Sequence, residues 1–248
     1  MNIEAYLKRI HYDGSRLPTL ANLIELHRTH LLNVPFENLD IHLARPIVLD
    51  EEKIIHKIVE RRRGGFCYEL NGAFCALLLG LGFEVSMLSA AVAGDEGRYG
   101  EPFDHMALLV ELDEPWLADV GFGDSFREPL RLNDRVEQQQ GDDAYRLSDA
   151  GEHLILARRE AGVWNAQYRF TLQHYNLEDF SGMCHYHQTS PESTFTQRRT
   201  CTLATPDGRI TVTGLRLITT IRGERQEREL AGDDEWRAAL GEHFGVEL

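Results

Sequence analysis

A cysteine, a histidine and an aspartate stand at three positions where their chemistry could be combined. Cys67 follows a double-glycine turn in Arg63-Gly64-Gly65-Phe66-Cys67-Tyr68-Glu69-Leu70-Asn71 and opens an apolar run of helical period. A thiol in the first turn of a helix lies near unpaired backbone N–H groups and the positive end of the dipole, which favours the nucleophilic thiolate. The ordinary alternative is a small core residue, because free cysteines are among the most buried side chains. His105 heads Phe103-Asp104-His105-Met106-Ala107-Leu108-Leu109-Val110-Glu111-Leu112, a stretch rich in strand formers, so its ring is expected at a sheet edge. Asp119 ends a short apolar strand in Trp116-Leu117-Ala118-Asp119-Val120-Gly121-Phe122-Gly123 and precedes a glycine-rich turn. Taken singly, such a histidine is usually a satisfied structural group and such an aspartate a turn-former. Together they supply a nucleophile, a base to take its proton, and a carboxylate to orient that base.

The elements that must hold these groups change character along the chain. Up to about Phe83 the periodicity is helical. Ile3, Leu7 and Ile10 share one face, and Thr19 caps a helix carrying Leu20, Leu23, His27 and Leu31. Asp50 caps a segment reaching Arg62, which Gly64-Gly65 stops. A further helix from Cys67 to about Leu79 buries Leu70, Phe74, Leu77 and Leu78. His27 and His30 read as partly exposed helix residues. From Glu84 onward strands are expected over 84–93, 106–112, 117–120, 153–158, 163–172 and 183–188. A hairpin joins 200–204 to 209–213 through Pro206-Asp207-Gly208, and a short helix spans 233–244. The polar stretch 131–143, with Gln138-Gln139-Gln140, reads as an exposed loop. Helices first and strands later imply an α+β fold.

Composition narrows the possible roles. The 248 residues carry a net charge of −14, which argues against a general affinity for nucleic acid. Arg61-Arg62-Arg63 is the one dense basic run and complements the dipole at a helix end. Arg222 to Glu229 alternates charges as a solvated face does. Cysteines 67, 75, 184 and 201 form no paired CxxC spacing. With no apolar run of signal-peptide or membrane-spanning length, this points to a reducing, cytoplasmic setting without membrane partners. No phosphate-binding or dinucleotide glycine pattern is present. Cys184-His185-Tyr186-His187 would aim two histidines to one face of a strand, but no second ligand pair follows, so no metal is expected.

The chain resembles the bacterial arylamine N-acetyltransferases over essentially its whole length. The motifs that carry the resemblance are Leu31-Leu32-Asn33-Val34-Pro35-Phe36-Glu37-Asn38-Leu39-Asp40, Arg63-Gly64-Gly65-Phe66-Cys67, His105 before its strand, and Asp119-Val120-Gly121-Phe122-Gly123. Phe195-Thr196-Gln197 and the 201–210 hairpin also look like that family. The resemblance implies an N-terminal helical bundle over residues 1–83, a central antiparallel barrel-like unit over 84–190 and a C-terminal α/β lid over 191–248, with a cysteine-proteinase-like core. It implies acetyl-CoA as co-substrate and aromatic amines or hydrazines as acceptors. Cys67, His105 and Asp119 would then be catalytic, and Phe36, Val92 and Phe122 would line the acceptor pocket. Arg63, Glu69 and Asn71 would support the nucleophile, with Glu37 and Asn38 bracing the same region. The backbone N–H of Cys67 is the expected oxyanion donor. The stretch 93–103 assigns no contact to CoA. A macrolactam-forming amide synthase and a thiol hydrolase or transglutaminase-like enzyme share the Cys, His, Asp order and differ in acyl donor. A ligand-binding module without turnover is the non-enzymatic alternative, and oligomeric state stays open.

Overall fold

In the computed structural model, which describes residues 1–248 with the side chain of Glu96 excepted, helices dominate the first eighty residues and strands the rest. The helices α1 (Ile3–Arg9), α2 (Leu20–Asn33), α3 (Leu39–His42), α4 (Glu51–Ile55) and α5 (Cys67–Gly80) come first. Thr19 and Asp50 cap α2 and α4 by accepting from the backbone N–H groups of Asn22 and Lys53. After α4 the chain widens into a single π-helical turn over His56–Glu60 and ends with Arg62 in the left-handed region, before the two glycines are reached. α5 is buried on nearly every side from Cys67 to Leu78, and so it is apolar all round.

Eight antiparallel strands form the central sheet: β2 (Glu84–Val92), β3 (His105–Glu111), β4 (Pro115–Ala118), β5 (Leu130–Arg131), β6 (Gln138–Gln140), β7 (Asp143–Ala150), β8 (His153–Glu160) and β9 (Val163–Tyr175). They run in the order β5-β4-β3-β2-β9-β8-β7-β6. The sheet curls around Leu109, Leu117, Phe126, Leu147, Tyr168 and Phe170. Its two edges meet through side chains. Gln138 exchanges hydrogen bonds with the Arg131 backbone, and Gln140 joins the backbones of Arg127 and Glu128. The glutamine run is therefore the nearly closed barrel's seam and not the exposed loop that its polarity predicts. β3 is buried on both faces, with Ala107 and Leu109 toward the barrel and Leu108 and Val110 toward the helices. A continuous apolar run is the sequence such a strand requires.

A second sheet orders β1 (Phe36–Glu37), β10 (Thr200–Thr205), β11 (Gly208–Thr213), β12 (Arg216–Ile221) and β13 (Glu224–Glu229) side by side, all antiparallel. Trp236, Leu240 and Phe244 of α8 (Asp233–Phe244) pack on it. β13 is an edge with all six residues exposed, and its alternating charges discourage pairing with another chain. Between β9 and β10 in the chain come α6 (Ser181–Thr189) and α7 (Thr194–Gln197). The expected strand over 183–188 is thus a helix. Cys184 and His187 are its buried residues, and with the buried Phe180 at its N-cap they give a spacing of four and three that belongs to a helix.

Candidate active site

Cys67 is the first residue of α5, and the turn before it is shaped by close backbone approach. A Cβ on Gly64 would lie 1.9 Å from the Pro35 carbonyl oxygen, so only glycine lets this turn dock against the residue preceding β1. Below the turn lies a buried charge cluster. The Arg63 guanidinium contacts Glu37 at 2.7 Å and Asp40 at 3.1 Å, while Lys57 sits 2.8 Å from both Asp40 and Glu69. Glu69 reaches back to accept the Phe66 N–H at 3.2 Å and holds the entry to α5. Burial pushes the Glu69 carboxyl up, and the neighbouring Lys57 cation opposes that push. Asn38 ties the same region to the C-terminal sheet: its amide donates to the carbonyls of Phe195 and Arg198 at 2.9 Å, and its oxygen accepts the Thr200 N–H.

His105 begins β3 after a turn in which Phe103 adopts a left-handed backbone with φ of 69°. Three groups pin that turn. The Phe103 N–H donates to the Ser89 hydroxyl at 2.7 Å, and the Tyr68 hydroxyl donates to the Phe103 carbonyl at 2.7 Å. His187 faces Asp104 at 3.0 Å and stacks near Tyr68. The residue after the candidate nucleophile thus holds the turn that launches the candidate base.

Asp119 receives four hydrogen bonds while almost wholly buried. His105 Nε2 lies 2.7 Å from Oδ2, which also accepts from the Tyr168 hydroxyl at 3.1 Å. Oδ1 accepts from Asn71 Nδ2 and the Gly121 N–H, both at 2.9 Å. Burial alone would raise this carboxyl. The His105 charge and the hydrogen bonds from His105, Asn71 and Gly121 outweigh it, so Asp119 is held below the ordinary carboxylate range. An ionised Asp119 is what a developing imidazolium needs beside it.

The three groups converge through shared neighbours. The backbone of Met106, the residue after His105, acts on the Cys67 thiol and favours its ionisation. A Cβ on Gly121, two residues after Asp119, would lie 2.8 Å from the Cys67 Cα and 2.7 Å from Asn71 Nδ2. Asn71 closes the set by donating to the Met106 carbonyl at 2.6 Å and accepting the Val120 N–H at 2.9 Å. Burial pushes Cys67 well above its usual value, the Met106 backbone pulls it down, and the Asp119 charge pushes it up again. Burial thus opposes the pull of the helix end toward thiolate.

Of the expected pocket residues, Phe122 packs edge-on to the His105 ring at 5.2 Å between centroids. Phe36 lies against Gly123 and 6.2 Å from the Phe195 ring. Val92 is half-buried and its N–H reaches Asp104 at 3.3 Å. The polarity-based readings missed two buried partners. His27 is fully buried, not partly exposed, and its Nε2 accepts the Asp119 backbone N–H at 3.0 Å. His30 is also fully buried and pairs with the Tyr6 hydroxyl at 3.0 Å. Tyr168 gave no signal in its strand pattern. Among the described residues no group of histidine, cysteine or carboxylate side chains could hold a metal. His185 and His187 fall on a helix instead of a strand, with His185 exposed and His187 turned toward Asp104.

Comparison with known proteins gives this arrangement its relatives. Residues 19–248 match the family profile described as N-acetyltransferase. An arylamine N-acetyltransferase / N-hydroxyarylamine O-acetyltransferase of Salmonella typhimurium is 41% identical over 172 residues, which cover 68% of this chain and 61% of that protein. The arylamine N-acetyltransferase of Escherichia coli is 34% identical over 245 residues, 97% of this chain and 87% of that protein. The chain belongs to the arylamine N-acetyltransferase family. Arylamine N-acetyltransferase of Mycobacterium marinum, solved in complex with CoA, superposes with a TM-score of 0.92 at 32% identity, covering 99% of this chain and 93% of that one. As a member of this family the chain is a transferase. No helix among the described residues is long and apolar enough to cross a membrane.

Proposed function

We propose that this enzyme transfers the acetyl group of acetyl-CoA to arylamines, arylhydrazines and N-hydroxyarylamines through an acetyl-Cys67 intermediate, in a ping-pong sequence. The observation that carries the reading is the His105–Asp119 pair at 2.7 Å, with Gly121, two residues after Asp119, packed closely against the Cys67 backbone. The CoA complex of the M. marinum relative supports the choice of donor.

In the first half-reaction the Cys67 proton passes to His105 as sulfur attacks the thioester carbonyl carbon. The tetrahedral oxyanion is met by the Cys67 N–H at the start of α5. The carbon–sulfur bond to CoA then breaks, and His105 returns the proton to the departing CoA sulfur. In the second half-reaction the amine nitrogen attacks the acetyl-cysteine carbonyl while His105 takes its proton. The carbon–sulfur bond to Cys67 breaks, leaving amide and a thiolate that is reprotonated from His105. A thioester for a thioester is a nearly even exchange, which is why sulfur suits the shuttle. Phe36, Val92 and Phe122 form the apolar walls for a flat acceptor, and Arg63, Glu69 and Asn71 hold the nucleophile's turn. The chain then divides into segments 1–83, 84–190 and 191–248 around a cysteine-proteinase-like core. The nucleophile comes from the first segment, and the base and carboxylate from the second.

Intact mass after exposure to acetyl-CoA without an acceptor tests the reading. One acetyl on the native enzyme and none on Cys67→Ser is expected. An enzyme that acetylates arylamines with no acetyl ever on Cys67 would overturn it.

A further inference from the structure

His27 lies on α2, well away in sequence from the three site residues, yet it is bonded to the backbone of one of them. Its ring is fully buried, stacked at 12° on Phe126 with centroids 5.6 Å apart, and edge-on to Phe74. Nδ1 lies 2.8 Å from the Arg127 carbonyl oxygen and Nε2 lies 3.0 Å from the Asp119 nitrogen. These partners fix the proton. A carbonyl can only accept, so Nδ1 carries the hydrogen. A backbone N–H can only donate, so Nε2 offers its lone pair. A second proton on Nε2 would point at the Asp119 N–H. Burial agrees with this, pushing the ring down to about 4.

We infer that His27 is a positioning residue for Asp119. Its neutral ring clamps the end of β4 to the loop at Arg127 and so sets where the carboxylate meets His105. The inference rests on the acetyl-transfer reading of the site. Asp119's oxygens are aimed by Asn71, Gly121 and Tyr168, whereas its main-chain N–H is held by His27. Arg127 extends the clamp, because its guanidinium donates to the carbonyls of Thr205 and Gly208 on the C-terminal hairpin.

Two substitutions separate this role from filling space. In His27→Gln the amide oxygen falls where Nε2 was and can accept the Asp119 N–H. In His27→Asn the amide nitrogen falls where Nδ1 was, keeping the Arg127 bond and leaving the Asp119 N–H without a partner. The inference expects His27→Gln to hold kcat for arylamine acetylation within about threefold of native. It expects His27→Asn to lose kcat on the order of tenfold or more, with KM for acetyl-CoA little changed. Equal losses in both, or a loss carried by KM, would overturn it. Should His27→Asn not fold, nitrogen NMR of the native protein decides: a ring protonated on Nδ1 alone from pH 8 to 5 supports the clamp, and an Nε2-protonated or charged ring contradicts it. A native enzyme that never forms acetyl-Cys67 would defeat the acetyl-transfer reading instead, which the variant comparison keeps apart.

Discussion

At the scale of single residues, the proposed chemistry turns on a buried thiol and the histidine that would take its proton. Burial pushes the Cys67 thiol up, so the proposal makes its reactivity near neutrality depend on His105. Replacing His105 by Asn should therefore slow iodoacetamide alkylation at pH 7 by on the order of a hundredfold, with reactivity returning only at alkaline pH. Unchanged alkylation at pH 7 would mean that the helix end alone sustains the thiolate. Cys67, His105 and Asp119 were legible because each stands where an element begins or ends, next to glycines or a change of period. His27 and Tyr168 were not, since a histidine among leucines and a tyrosine in a strand look like core from pattern alone. Their polar partners, the Asp119 N–H and its Oδ2, lie 92 and 49 residues away in the chain.

At the scale of elements, the start of α5 depends on the charge cluster beneath it. Arg63 is almost fully buried between Glu37 and Asp40, and removing one partner of such a set leaves uncompensated charge. Arg63→Leu should lower unfolding free energy by about 3–5 kcal/mol, read by urea denaturation. A loss below about 1 kcal/mol would show that the cluster does not hold the turn. The helices of the first third were readable from their caps and stripes. α6 was not, because Cys184-His185-Tyr186-His187 alternates like a strand, and the helical stripe appears only when Phe180 is included. β6 escaped notice for a different reason. Its glutamines pair through side-chain amides to close a seam, a role without apolar alternation.

At the scale of the whole molecule, α2 and α5, the barrel and the C-terminal hairpin meet around Asp119 and Arg127, and buried histidines make that meeting sensitive to acid. His27 is lowered from its usual 6.5 to about 4 and His30 is also lowered, both chiefly by burial. The unfolded chain then binds more protons than the folded one as pH falls from about 6.5 toward 4, so stability is lost across that window and retained above it. Thermal melting should drop between pH 7 and 4.5, and drop less in His27→Gln, while equal slopes would contradict the assignment. The α+β class and the order of site residues followed from the sequence, whereas the barrel's closure and the clamp at Asp119 arise from contacts between distant segments. The most direct test of the acetyl-cysteine account follows a labelled acetyl group through one turnover. Enzyme loaded from acetyl-CoA and freed of CoA should carry the label on the Cys67 peptide, and an arylamine should remove it at least as fast as steady-state turnover. Label elsewhere, or discharge slower than turnover, would contradict it.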